Sequence, residues 1–142
     1  MKVAEILQTK GAEVFTVTAT MLVRDAIGVL AERNIGAVIV KDPAGRVAGI
    51  LSERDVVRKM NADGHGALAR PVDDCMTKEP ITCDLEASVD EVMSLMTERR
   101  IRHIPVVVDG ALVGIVSIGD VVKRKIHQAE REAAALKEYI AS

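Results

Sequence analysis

The chain has 142 residues and a mass of 15.3 kDa, enough for one ordinary domain or two very small ones, and needs no disulfide or metal to hold it. Apolar residues at 49% and charged residues at 28% exclude a disordered chain, and 19 basic against 21 acidic residues, a net charge of -2, argue against a basic nucleic-acid binder. One Phe, one Tyr and no Trp leave no aromatic platform for stacking bases, so the core must be aliphatic.

The first residues, MKVAEILQTKG, have no long apolar run and do not read as a signal peptide. Thr16 then lies in a short β-prone piece, FTV. Val23, Ala26, Ile27 and Leu30 follow at helical spacing. Two apolar runs, AVIV and RVAGIL, flank the turn DPAG and predict a hairpin, after which a helix leaves from Asp55. NADGHGALARP (61–71) reads as a connecting segment, and Pro71 is suited to open a short helix through Met76. Cys75 and Cys83 form no C-x-x-C and read as reduced thiols of a cytoplasmic protein.

Thr82 repeats the β-prone piece as ITC. Ser88 with Glu91 forms a capping box ahead of a helix carrying Val89, Val92, Met93 and Met96. HIPVVV and ALVGIV flank Asp-Gly and predict a second hairpin, and a further helix leaves from Asp120. That helix is long: Val122, Ile126, Ala129, Ala133, Leu136 and Ile140 recur at steps of 4, 3, 4, 3 and 4, a heptad seam. Such a seam suits either packing on the helix's own domain or a partner subunit. No stretch of apolar residues is long enough to span a membrane.

The two halves repeat one another. ERNIGAVIV aligns with ERRIRHIPV at an offset of 66, and GILSERDVV with GIVSIGDVV at an offset of 65. The fold class expected is α+β: two βαββα units packed as a pseudo-two-fold pair, with a long C-terminal helix. The expected boundaries are a first unit over 1–62, a linker with a short helix over 63–76, a second unit over 77–126 and a helical extension over 127–142.

The runs GILSERD and GIVSIGD, together with IRHIPVV, resemble the CBS-domain family in its tandem form, the Bateman module. The likeness extends over about residues 14 to 126. It looks like the free-standing bacterial type, whose pairs are similar to the regulatory insert of inosine-monophosphate dehydrogenase. The resemblance implies a non-catalytic sensor that binds adenosine ligands of the AMP, ADP, ATP, NAD or S-adenosylmethionine class. It also implies a homodimer of two pairs and a regulated partner protein that the sequence does not name.

Two chemistries compete at Ser52-x-x-Asp55 and Ser117-x-x-Asp120. Both pairs open a helix, and the pattern is a capping box. Equally, helix N–H groups and a serine hydroxyl suit a phosphate, and a carboxylate accepts from two vicinal ribose hydroxyls. The resemblance assigns the ribose to the aspartates.

Arg102 and His103 offer donors to phosphate, or else form a solvated basic turn, and Ile104 and Pro105 are expected to wall the base. The expected stronger site therefore holds Thr82, Arg102, His103, Ile104, Pro105, Ser117 and Asp120, with Arg54 reaching in from the first unit. The weaker holds Thr16, Gly36, Ala37, Val38, Ser52 and Asp55.

No metal site is expected. No G-x-S-x-G, P-loop or G-x-G-x-x-G is present, so the reading is not an enzyme. The rival reading is a protein–protein interaction or dimerisation module with degenerate sites.

Overall fold

The structure, a computed structural model, describes residues 1–142. A helix not foreseen in the sequence reading, α1 (Val3–Lys10), comes first. The first unit then runs β1 (Thr16–Thr18), α2 (Val23–Arg33), β2 (Ala37–Lys41), β3 (Val47–Ser52) and α3 (Glu53–Asp63). Two 3-10 turns, Gly64–Ala69 and Val72–Asp74, lead to β4 (Thr77–Lys78). The second unit runs α4 (Val89–Arg99), β5 (His103–Val108), β6 (Ala111–Ser117) and α5 (Ile118–Ala141). Its first strand shrinks to a single parallel bridge between Cys83 and Val106. The mixed α+β class and the two βαββα units are therefore as the repeat implied.

Local chemistry explains the element ends. The β5–β6 turn has positive φ at both Asp109 (51°) and Gly110 (80°), the geometry that a two-residue Asp-Gly hairpin needs. Ser88 caps α4 by accepting from the Glu91 N–H at 3.0 Å. Leu22, ahead of α2, has no such side chain, and there the Val23 N–H donates to the Arg70 carbonyl at 2.9 Å.

That last bond belongs to a reciprocal exchange. Residues ahead of the second unit pack on the first: Leu22 pairs with Pro71, and β4 joins the sheet in the order β1-β2-β3-β4. Residues ahead of the first unit pack on the second: Lys2 pairs with Ser88, and the Val89 N–H donates to the Met1 carbonyl at 3.0 Å. The cores follow the same pattern. Val72 is fully buried with Val17, Ala26, Leu30, Val38, Val40 and Leu51. Val3, Ile6 and Leu7 are buried with Val89, Val92, Met96, Ile104, Val106, Val116 and Val121. Residues 3–10 therefore pack with the second unit, and Val72, Cys75 and Met76 with the first. The reason is burial, since the exchanged segments fill out the core between each hairpin and its own helices. A third cluster, Ala37, Ile39 and Ile50 with Leu112 and Ile115 against it, joins the two units.

The seam on α5 finds no partner within the chain. Val121, beside the seam, is the one buried residue of α5, whereas Ile126, Leu136 and Ile140 on the seam are 54%, 59% and 74% exposed. Val57, at the position of α3 equivalent to Val122 of α5, is exposed as well.

Two glycines test the exchange. A Cβ at Gly49 would stand 2.7 Å from both the Met76 Sδ and the Thr77 carbonyl oxygen of the crossing segment. Gly49→Ala should destabilise by about 1–3 kcal/mol through this overpacking. At Gly28, inside α2, a Cβ meets nothing within 4 Å, so Gly28→Ala should stabilise by about 1 kcal/mol. Urea unfolding of both variants checks the opposite signs.

Candidate functional site

The site is built where β3 and β6 turn into α3 and α5. Both turns form complete capping boxes. The Asp55 N–H donates to Ser52 Oγ at 3.2 Å, and the Ser52 N–H donates back to Asp55 Oδ2 at 2.9 Å. The Asp120 N–H donates to Ser117 Oγ at 3.2 Å, and the Ser117 N–H donates to Asp120 Oδ2 at 2.8 Å. The capping role of both pairs is therefore realised, and it holds the two carboxylates in equivalent places.

A second stitch sets what lies beside them. The Ile118 N–H donates to the Arg102 carbonyl at 2.8 Å, and the Glu53 N–H to the Gly36 carbonyl at 3.0 Å. His103 pairs in register with Ser117, and Ala37 with Ser52. Arg102 and His103 thus stand at the α5 start, and Gly36 and Ala37 at the α3 start. Thr16 pairs with Ile39 at the sheet edge and is exposed. Thr82 is exposed next to Cys83, whose N–H donates to the Pro105 carbonyl at 3.1 Å.

Three expected residues sit differently from their sequence reading. Ile104 is fully buried among the α4 and α1 side chains, so it faces the second core and not an open cleft. Alternate residues of a strand point to opposite faces, and Ile104 follows His103 onto the other face. Val38 is buried in the first core for the same reason. Arg54 does reach across to the second unit, but its Nη1 donates to the Arg100 carbonyl at 2.9 Å, at the C-terminal cap of α4. The negative end of that helix draws the guanidinium there. Pro105 is buried.

His103 crosses towards the other unit. A Cβ at Gly36 would stand 3.2 Å from His103 Cε1 and 3.9 Å from Glu53 Oε1, so a side chain there would press on the imidazole. Burial holds the His103 pKa below its usual value, Lys10 and Arg102 lower it further, and Asp120 and Glu53 oppose them.

Two residues missed in the sequence reading complete the carboxylates. Lys10 Nζ donates to Asp120 Oδ2 at 2.7 Å and to the Ile115 carbonyl at 2.9 Å. Thr77 Oγ1 donates to Asp55 Oδ1 at 3.1 Å. Both come from the exchanged segments. The spacing of Val3, Ile6 and Leu7 does carry a helical signal, but nothing in it says which unit the helix meets. No cluster of three or more His, Cys, Asp or Glu side chains is placed to hold a metal ion.

Burial of the Asp120 carboxyl works against its charge, but the Lys10 ammonium and the Ser117 donors outweigh it and hold its pKa below the usual value. A depressed folded pKa stabilises the fold above the unfolded pKa, and that stability is lost as pH falls through the folded one. The stability gap between wild type and Asp120→Asn should therefore be constant near neutrality and close below about pH 4. Denaturant titrations across that range read it; a gap that persists into strong acid would mean the carboxylate charge contributes nothing.

Comparison with known proteins agrees with this architecture. The CBS domain family matches residues 3–62 and 72–127. The chain is 37% identical to the mitochondrial CBS domain-containing protein CBSX3 of Arabidopsis thaliana, over 97% of this chain and 71% of that protein. A crystal structure of the CBS-domain protein ATU1752 from Agrobacterium tumefaciens superposes with a TM-score of 0.85 at 41% identity, covering 87% of this chain and 92% of that one. A crystal structure of CBSX2 in complex with AMP superposes with a TM-score of 0.72 at 25% identity, covering 90% and 98%. With two matched copies, two capped Ser/Asp helix starts and the reciprocal exchange between them, the chain belongs to the CBS-domain family as a tandem pair.

Proposed function

We propose that the chain is a non-catalytic sensor that binds an adenosine nucleotide of the AMP, ADP, ATP or NAD class. It signals by a ligand-dependent change of conformation or partner binding. The observation that carries this reading is the α5 start, where Ser117 and Asp120 stand beside Arg102 and His103 of the paired strand. Asp120 suits the ribose diol, and the N–H groups of α5 with Arg102 suit a phosphate. The AMP complex of CBSX2 supports the same ligand class.

Within this reading the Asp120 site binds more tightly than the Asp55 site. Gly36 and Ala37 supply the first site with no cation where Arg102 serves the second. The free Cys75 and Cys83 thiols fit a reducing compartment such as the cytoplasm.

The exposed α5 seam favours a second role beside the first, a homodimer. Burying a Leu or Ile side chain contributes roughly 1.5–3 kcal/mol, so Leu136 and Ile140 would matter to association. The regulated partner protein is then one that meets the dimer.

Calorimetry with AMP, ATP and NAD tests the ligand class, and no heat and no thermal shift with any of them at millimolar ligand would refute it. Asp120→Ala should abolish the tighter event, because charge-assisted hydrogen bonds contribute about 1.5–3 kcal/mol each, and Asp55→Ala should do less. Equal losses overturn the ranking. Light scattering should report a dimer for the wild type and a weakened one for Leu136→Glu with Ile140→Glu. A wild-type monomer refutes the dimer.

A further inference from the structure

The two aspartates repeat one another in position but not in partner. Asp55 receives a neutral hydroxyl from Thr77, and Asp120 an ammonium from Lys10. Lys10 and Asp120 are 31% and 21% exposed, so water screens the pair only in part. Asp120 Oδ2 accepts from the Ser117 N–H and from Lys10 Nζ, which uses both of its acceptor directions. No protein hydrogen bond falls on Oδ1.

A vicinal diol that bridges both oxygens must therefore take one place on Oδ2. The Ser117 N–H is fixed by the start of α5, whereas Lys10 is a flexible side chain at the end of α1. Lys10 is the group that gives way. At Asp55 the corresponding place is held by the Ser52 hydroxyl, at 2.9 Å, and moving it separates no charge.

We propose that Lys10 sets the ligand specificity of the second site, by leaving Asp120 only for a ligand that brings both a diol and a negative charge. The ammonium released from Asp120 needs a new anion within reach of its side chain, and a phosphate beside Arg102 supplies one. A nucleoside without phosphate leaves the ammonium no anion, with only the neutral Ile115 carbonyl as partner, next to a histidine that its charge already disfavours from protonation. The second site then discriminates nucleotide from nucleoside, and the first site, with Thr77, does not. This rests on the adenosine reading above and deepens it.

The test compares AMP with adenosine by calorimetry on wild type, Lys10→Met and Lys10→Arg. In the wild type the Asp120 site should take AMP and discriminate against adenosine. Lys10→Met should tighten adenosine by about tenfold and weaken or leave unchanged AMP, the size expected for one charge-assisted contact. Lys10→Arg keeps the charge and should retain the wild-type preference, and thermal unfolding of each variant verifies that it is folded. Adenosine and AMP shifting together in Lys10→Met, or no change for either, overturns the role of Lys10 while leaving the adenosine reading intact. Failure of every protein to bind either compound overturns both.

Discussion

Val3, Ile6 and Leu7 stand ahead of the first unit in the chain yet fill the core of the second, and Val72 stands ahead of the second yet fills the core of the first. The rest of the molecule depends on this exchange. A βαββα unit has helices for one face of its hairpin only, and about 60 residues bury too little apolar surface to stand alone. The segment that leads into the other unit completes the helix-covered face of each hairpin, and the opposite faces cover one another through Ala37, Ile39 and Ile50 with Leu112 and Ile115. Gly49 and Gly114 mark the two points of closest approach: a Cβ at Gly114 would lie 2.7 Å from Leu7 Cδ1, as one at Gly49 would from Met76 Sδ. Separating the units would open both cores, so the pair is one cooperative body.

The same exchange breaks the symmetry that the repeat would otherwise impose on the two carboxylates. The capping boxes at α3 and α5 are alike to within 0.1 Å in their backbone hydrogen bonds. What differs arrives from elsewhere in the chain, Thr77 on β4 and Lys10 at the end of α1. Capping and ligand recognition are compatible at such a place. The cap uses the aspartate oxygen that faces its own backbone, and under the proposed function the same hydrogen bonds hold the carboxylate for a diol.

The crossing side chains, His103 over Gly36 and Arg54 to the Arg100 carbonyl, bind the two helix starts into one region. A ligand held at the α5 start would therefore press on residues of both units. Under the proposed function, this contact would carry occupancy to how the units sit, and so to the outer faces of α3 and α5, where Val57, Val122 and Ile126 stand exposed.

The sequence by itself determined the repeat, the order of strands and helices in each unit, the Asp-Gly hairpin, the Ser/Asp helix starts and the long apolar seam of α5. These are local: they follow from spacing along the chain, turn chemistry and capping, which act over a few residues. Only the tertiary structure decided that α1 serves the second unit, that Ile104 and Val38 face the cores, that Arg54 caps α4, and that Lys10 sits on Asp120. Each of these joins residues far apart in sequence, up to 110 positions for Lys10 and Asp120. Such contacts are fixed by which apolar surfaces remain uncovered once the local elements have formed, a property of the assembled shape and not of any segment.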